Sequence, residues 1–251
     1  MMGSPGHAGS QTWYRTCLDD RMRRQLDEIS ADVKATRNPA IIIVAGFLNR
    51  GKTTNAILCC EYIQKNFDQE TQVGIGIDGF IKAYQNTISM SISNQSKAKC
   101  VIFDEPSEYS SSGGSRKKIA EINKILDTIK HHQTIIFIAG PSFWELNQHI
   151  WKLGAVRGLI HIIRVEPDKC AHYTMHDART TLKIVGECRR AEKNYQIDQA
   201  IYCAYKKYVA RGIRGRFKAP KKEIQRKIDK NSDKGKNEMQ AKAFRRAEEI
   251  E

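Results

Sequence analysis

The chain has 251 residues, with 42 Lys+Arg against 28 Asp+Glu, so its formal net charge is +14. This length fits one large domain or one domain with appendages, and an apolar content of 40% excludes disorder throughout the chain. The longest apolar runs, 40–48 and 134–139, fall well short of the ~20 residues of a membrane span. We therefore expect a folded protein without a membrane span.

The N-terminus and the cysteines both favour a cytoplasmic protein, or the host cytoplasm for a viral or plasmid chain. Residues 1–12 lack the apolar core of a signal peptide. The seven Cys contain no C-x-x-C pair, and Cys59 and Cys60 lie within a strongly helical pattern. Such cysteines are typical of reduced thiols that fill a core.

The positive charge is concentrated towards the C-terminus. Residues 189–251 hold 19 Lys+Arg and 9 Asp+Glu, a net of +10, whereas residues 1–188 carry a net of +4. A basic tail usually meets a polyanion, and we favour nucleic acid as that partner. An acidic lipid surface, an acidic protein or no specific partner are the alternatives.

The predicted elements alternate between helices and strands. An amphipathic helix over 13–35 ends at Asn38-Pro39, and 78–90 also fits a helix, although its pattern is ambiguous. Beyond Gly212 we expect helical pieces (220–229, 236–250) or disorder until a partner binds. The alternation predicts an α/β fold with a mainly parallel sheet. Further strands are expected at 40–45, 72–77, 99–103, 134–139, 158–165, 171–176 and 180–185, and further helices at 52–67, 116–131, 142–153 and 195–210.

A phosphate-binding loop is the strongest local signal. The segment 46–53 reads G-F-L-N-R-G-K-T, between an apolar strand and an amphipathic helix, and so matches G-x-x-x-x-G-K-[ST]. In this motif backbone N–H groups and the helix N-terminus hold phosphate oxygens, the Lys reaches the β- and γ-phosphates, and the Thr hydroxyl binds Mg²⁺. We expect ATP to be held by Gly46, Asn49, Arg50, Gly51, Lys52, Thr53 and Thr54.

Two carboxylates end the strand at 99–103. In a fold with a phosphate loop, Asp104 is expected on the Mg²⁺ together with Thr53, and Glu105 is expected to act as general base on the attacking water. GTPases and small-molecule kinases usually lack the second acid, and the N-K-x-D motif of GTPases is absent from this sequence. The SSSGG segment (110–114) follows the acidic pair, whereas the signature of ABC proteins precedes it.

The strings VIFDEPSEYSS and TIIFIAGPSFWELNQHIWKL, joined by a helix that ends in Lys130-His131-His132, resemble P-loop ATPases of the FtsK/HerA superfamily. The likeness covers about 40–165 and is nearest to the small versions carried by archaea, their viruses and plasmids. It implies a RecA-like core with the catalytic strand inserted in the sheet. It also implies assembly into a ring or hexamer, and ATP-driven movement of DNA.

Two positions depart from the family pattern. The sensor position after the strand at 134–139, often Gln, is occupied by Pro141-Ser142, so Ser142 is our candidate catalytic sensor. The family's trans-acting Arg has no motif here, and Arg157 and Arg164 are candidates for it. Either could equally be a surface residue or the partner of an acid.

Several weaker residue patterns each fit both a functional and a purely structural interpretation. Cys170, His172, His176 and Cys188 are residue types that zinc accepts, but an incidental polar hairpin is the commoner explanation. Arg116-Lys117-Lys118 could face DNA or solvent, and a tyrosine stripe (Tyr202, Tyr205, Tyr208) could stack on bases or, more often, pack on the core. The segment RGIRGRFK (211–218) favours a flexible arm that follows phosphates.

Together these patterns predict three regions: an N-terminal tail and helix (1–38), a RecA-like P-loop ATPase core (39–188) and a basic C-terminal helical or flexible tail (189–251). The function we expect is a Mg²⁺-dependent ATPase that couples hydrolysis to DNA translocation as a homo-oligomer. The alternatives are an ATP-dependent switch or partition protein that loads on DNA without moving along it, and a helicase or loader acting on single strands.

Overall fold

A computed structural model describes residues 18–46, 51–91, 96–109, 115–129, 132–140, 143–165, 170–193 and 213–218. In these ranges seven strands form a single sheet with the order β2-β3-β4-β1-β5-β6-β7. The first five strands are parallel, while β6 is antiparallel to β5 and β7 to β6. The strands are β1 (Ala40–Gly46), β2 (Val73–Ile75), β3 (Lys99–Asp104), β4 (Thr134–Gly140), β5 (Val156–Val165), β6 (Cys170–Asp177) and β7 (Ile213–Lys218).

Strand β1 lies at the centre of the parallel part, between β4 and β5. All seven of its residues are buried, as the unbroken apolar run at 40–45 predicts for a strand covered on both faces. Strand β4 separates β1 from β3, which carries Asp104. This inserted strand is the RecA-like arrangement, so the prediction of an α/β, mainly parallel RecA-like core is confirmed.

Helices cover both faces of the sheet. They are α1 (Asp20–Thr36), α2 (Lys52–Ile63), α3 (Gln69–Gln72), α4 (Gly76–Ser89), α5 (Arg116–Thr128), α6 (Gln148–Lys152) and α7 (Ala178–Lys193), with 3-10 turns at Pro106–Tyr109 and Phe143–Glu145. Alternate residues of β1, Ile41 and Ile43, pack in one core with residues of α4, α5 and α7. Helix α2 packs against β1, β3 and β4, and its other neighbour is α1. The ambiguous segment 78–90 is therefore a core helix.

The segment expected to be a strand at 180–185 is instead part of α7, so that prediction is wrong. Asp177 caps this helix, because its Oδ1 accepts a hydrogen bond of 2.7 Å from the backbone N–H of Thr180. Ile184 and Cys188 are buried and lie four residues apart on one face. The β-branched content of 180–185 favours a strand locally, but the cap and the buried helical face determine the outcome.

The segment expected to be a flexible arm at 211–218 is also different, because Ile213–Lys218 forms the seventh strand of the sheet. Gly215 is required there, since a Cβ at this position would collide with the Tyr173 hydroxyl and with Asp19 Oδ2. Asp19 itself accepts hydrogen bonds from Tyr173 Oη at 2.7 Å and from the Arg216 backbone N–H at 2.7 Å. These contacts tie β6 and β7 to the start of α1.

The expected boundary at residue 188 falls inside α7, and the chain divides into two compact units, Met1–Ala219 and Pro220–Glu251. Residues 220–251 contain 10 Lys+Arg and 7 Asp+Glu, a net of only +3. Most of the excess charge assigned to the tail, a net of +7, lies in 189–218. The tyrosine stripe, the SSSGG segment and 220–251 lie outside the described residues. Among the described helices, none has the length and apolarity to cross a membrane.

Candidate nucleotide site

Two glycines frame the phosphate loop between β1 and α2. Gly46 has φ +152, and a Cβ there would lie 2.9 Å from the carbonyl oxygen of Ile162 on β5. Gly51 has φ +72 and is the N-cap of α2, where its carbonyl accepts the Asn55 N–H at 2.9 Å. Both positions favour glycine, and the start of α2 directs backbone N–H groups at any phosphate bound there. Asn49 and Arg50 lie outside the described residues, and Thr54 is buried in the first turn of α2.

The side chains of Thr53 and Asp104 meet although they come from different elements. Thr53 Oγ1, in the first turn of α2, donates a hydrogen bond of 2.9 Å to Asp104 Oδ2 at the end of β3. Hydroxyl and carboxylate oxygens are hard ligands that suit Mg²⁺. The residue types at this point therefore fit a Mg²⁺ ion, which Thr53 and Asp104 would hold together.

Burial changes the acid–base properties of the site. It raises the pKa of Asp104 to about 6, and the charge of Glu105 adds to the increase, while the hydrogen bond from Thr53 opposes it. Burial also lowers the pKa of Lys52, and the carboxylates of Asp104 and Glu105 partly restore it. The site thus holds a half-buried carboxylate near a lysine. Asp104 loses its proton less readily than an exposed Asp, and a bound divalent cation would favour its ionised form.

Glu105, directly after Asp104, has an unusual backbone conformation. Its φ is +51, which few non-glycine residues adopt, and its side chain is exposed. Its N–H donates to the Ala139 carbonyl of β4 at 3.1 Å. Pro106 then packs against the end of β4, where a Cβ on Gly140 would lie 3.0 Å from its Cδ. Strain of this kind is typical of functional sites.

The turn after Glu105 is fixed to the rest of the core by Tyr109. Its hydroxyl donates a hydrogen bond of 2.6 Å to Asn123 Oδ1 on α5, and its carbonyl accepts the Asn147 N–H at 3.1 Å. Tyr109 is fully buried. Gly140 and Tyr109 were absent from the sequence prediction, because no local motif marks a contact between β4 and this turn.

His161 was also missed, although a histidine inside an apolar strand is a signal. It lies on β5 directly opposite Ala45, the residue before Gly46, and opposite Thr174 on β6. Burial lowers the pKa of His161 to about 3, with further lowering from His176 and Lys52. A neutral imidazole therefore lies beside the strand that leads into the phosphate loop.

The other candidate residues are placed as follows. Arg157 lies at the start of β5, away from the phosphate loop, where it donates to Asp32 Oδ2 at 3.3 Å and to the Gly154 carbonyl at 2.9 Å. Its guanidinium is therefore engaged within the chain. Ser142 lies outside the described residues, as does the side chain of Arg164.

The residue types that zinc accepts lie on two different elements. Cys188 is buried in the core on α7, whereas His172 and His176 belong to β6. The side chain of Cys170 is outside the description. Within the described residues, no three His, Cys, Asp or Glu side chains group closely enough to hold a metal ion.

No protein-family model matches the chain, and no curated protein matches it. Solved structures do show a likeness. A DNA polymerase III gamma subunit-related protein of Thermotoga maritima has 14% identity and a TM-score of 0.40, over 75% of this chain and 58% of that chain. The N-terminal domain of zonular occludens toxin from Neisseria meningitidis has 12% identity and a TM-score of 0.38, over 74% and 96%.

The VirB11 ATPase of the Brucella suis type IV secretion system has 11% identity and a TM-score of 0.33, over 72% of this chain and 60% of that chain. This chain thus spans less than two thirds of two of these three proteins. The identities and scores are too low to indicate a shared function. The class follows from the chain's own geometry. A glycine loop joins β1 to α2, and Asp104 ends β3, which is separated from β1 by the single strand β4. This arrangement defines a P-loop NTPase fold.

Proposed function

We propose that this protein is a Mg²⁺-dependent ATP hydrolase. The observation that supports this most strongly is the 2.9 Å hydrogen bond between Thr53 and Asp104, with Glu105 directly after the Asp. It brings together the two metal-side oxygens that the phosphate loop and the acidic strand end each predict. The absence of an N-K-x-D motif from the sequence favours ATP over GTP.

In the proposed reaction, water attacks the γ-phosphorus of ATP and the bond to the β–γ bridging oxygen breaks, giving ADP and phosphate. The N-terminus of α2 and Lys52 bind the β- and γ-phosphates and offset their negative charge. The Glu105 carboxylate accepts a proton from the attacking water. A bound Mg²⁺ supplies Lewis-acid stabilisation of the phosphate oxygens, and Thr53 and Asp104 would hold it, Asp104 directly or through water.

We further propose that hydrolysis drives movement along DNA in a homo-oligomer of FtsK/HerA type that forms a ring or hexamer. The support is the motif resemblance over 40–165, the strand inserted between β1 and β3, and the net charge of +14. A role in genome packaging, DNA transfer or segregation fits such a motor.

The experiment measures phosphate release by the full chain with ATP and Mg²⁺, alone and with duplex DNA, single-stranded DNA or RNA. Lys52→Ala should abolish nucleotide binding or turnover, because it removes the charge that faces the β- and γ-phosphates. Unchanged turnover in this variant would contradict the site. A mass measurement with ATP tests the oligomer, and a tethered-duplex assay tests translocation.

The same assays separate the alternatives. DNA-stimulated hydrolysis without movement would indicate a switch or partition protein in place of a motor. Stimulation by single strands in strong preference to duplex would indicate a helicase or loader.

A further inference from the structure

Helix α7 presents a row of cations to solvent. Arg179, Lys183 and Arg190 are exposed, and with Gly186 they follow one helical stripe at spacings of four, three and four residues. A Cβ on Gly186 would meet nothing within 4 Å, so the middle of the stripe is open. Leu182, beside the stripe, is 47% exposed. We call these four stripe positions the α7 stripe.

The α7 stripe has a single sign of charge, unlike the exposed faces of α1 and α5. Exposed cations of α1 stand among Asp20, Asp27 and Glu28, and those of α5 among Glu121 and Asp127. Among the described side chains of α7, through Arg190, the acid is Glu187, which is half-buried, while the exposed Asp177 caps the helix beside Arg179. Solvated helix faces usually mix both signs, and a face with one sign attracts a partner of opposite charge.

The direction of α7 places its end at the edge of the sheet that carries the phosphate loop. The helix begins after Asp177, which pairs with Gly158 near the start of β5. Towards its end, the Arg189 guanidinium donates to the carbonyls of Trp144 and Leu146 at 2.9 Å each, just beyond the end of β4. The stripe therefore extends towards the nucleotide edge.

Strand β7 adds a second basic element on the outer side of the sheet. It is the outermost strand, and it ends with Lys218 opposite Cys170, at the same edge as the end of β5. Positions 214, 216 and 218 alternate along it and are all basic, and Arg216 is exposed. The segment 189–218, from the end of α7 to the end of β7, has 9 Lys+Arg and 2 Asp+Glu.

We propose that the α7 stripe binds the phosphate backbone of double-stranded DNA, and that residues 220–251 contribute less. This inference rests on the proposed DNA-dependent ATPase and assigns its DNA surface. From Arg179 to Arg190 the stripe is about 16 Å long. That length spans about five base steps of DNA at 3.4 Å per step. Contacts between the cations and the phosphates would depend on charge and not on base sequence.

The test uses the full chain and a stripe variant that combines Arg179→Gln, Lys183→Gln and Arg190→Gln. A matched control combines Arg24→Gln, Lys34→Gln and Lys82→Gln, which removes three exposed cations from α1 and α4. A tail variant combines Lys221→Gln, Lys222→Gln and Arg226→Gln. All three variants lose the same formal charge.

Fluorescence anisotropy measures the Kd for a duplex of about 30 bp between about 50 and 200 mM salt. The stripe variant should bind at least about tenfold more weakly, with the slope of log K against log salt reduced by about 2 to 3. The control and tail variants should each change the Kd less than about threefold. A stripe variant that matches the control, or a tail variant that loses more than the stripe variant, would overturn the inference.

Two further measurements, ATP hydrolysis without DNA and binding of other polyanions, separate this inference from the proposed function. ATP hydrolysis without DNA should be the same in all variants, because none of the substituted residues lies in the nucleotide site. A wild-type chain that hydrolyses ATP but binds RNA duplexes or anionic vesicles in preference to DNA would overturn the DNA surface alone. A wild-type chain that fails to hydrolyse ATP would instead contradict the proposed function.

Discussion

Thr53 and Asp104 are 51 positions apart in the chain, yet the Thr53 hydroxyl donates a hydrogen bond of 2.9 Å to Asp104 Oδ2. The contact requires that α2 begin beside the end of β3, although β4 lies between β3 and β1. It joins the phosphate loop to the acidic strand end, and the account of this protein as an ATP hydrolase depends on it.

Mg²⁺ affinity should fall at acidic pH. Burial raises the pKa of Asp104 to about 6, so protons compete with the metal for this carboxylate below that pH. The terminal phosphate of ATP also gains a proton in this range, so the wild type is compared with Asp104→Asn. Between about pH 7.5 and 5.5 the Mg²⁺ concentration for half-maximal ATP binding should rise about fourfold more in the wild type than in the variant. Titration with Mg²⁺ at both pH values measures the two increases, and equal increases would contradict the proposed role of Asp104.

Asp104→Asn should stabilise the metal-free protein at neutral pH. Between its ordinary pKa of 3.8 and its native pKa of about 6, Asp104 keeps a proton in the native state that the unfolded chain has lost. The contribution of this carboxyl to the free energy of unfolding is therefore fully present below pH 3.8. That stability is lost as pH rises through about 6. The variant should therefore have the higher Tm near pH 7.5, and the gap should close towards pH 4. A gap that widens on acidification would contradict the burial argument.

Gly140→Ala should slow hydrolysis while leaving ATP affinity intact. Gly140 lacks a positive φ, so Ala fits its backbone, but the new Cβ would press on the Pro106 ring and displace Glu105 by a few tenths of an ångström. We expect kcat to fall about three- to tenfold at unchanged KM, because catalysis is sensitive to small misplacements. Adding Pro106→Ala removes the crowding atoms and should recover part of the rate. Full activity of Gly140→Ala alone would exclude this positioning role.

Gly215→Ala should destabilise the fold, because β7 belongs to the sheet and a Cβ at 215 would collide with Tyr173 and Asp19. The expected loss is about 1–3 kcal/mol in the free energy of unfolding. Gly186→Ala is the matched control, since its Cβ meets nothing and a helix gains up to about 1 kcal/mol from the change. Denaturant unfolding of both variants measures the difference. Equal stabilities would mean that 213–218 is an arm after all.

The parts of this structure that could be predicted from sequence depend on local patterns. The buried run at 40–45 predicts a central strand, and G-x-x-x-x-G-K-T predicts the turn and helix that follow. The Thr53–Asp104 contact is implied because the phosphate loop and the acidic strand end are each expected to supply a ligand to the same Mg²⁺. Each of these signals is contained within about ten neighbouring residues.

The parts that could not be predicted depend on contacts between distant residues. Arg- and Gly-rich composition at 211–218 is typical of a flexible arm, but Gly215 is needed because Tyr173 and Asp19 occupy the space of its side chain. The left-handed φ of Glu105 depends on β4 and Pro106, which no local pattern reveals. The neutral state of His161 likewise follows from burial beside β1 and β6.

The most direct test of the account compares Glu105→Gln with Glu108→Gln in steady-state phosphate release with ATP and Mg²⁺. Both residues are exposed, and they are three positions apart at the same turn, but only Glu105 directly follows Asp104, the proposed Mg²⁺ ligand. Glu105→Gln should lower kcat by about 100-fold or more while ATP still binds, because the base that accepts the water proton is lost. Glu108→Gln should hydrolyse ATP at the wild-type rate. Normal hydrolysis by Glu105→Gln would contradict the central claim.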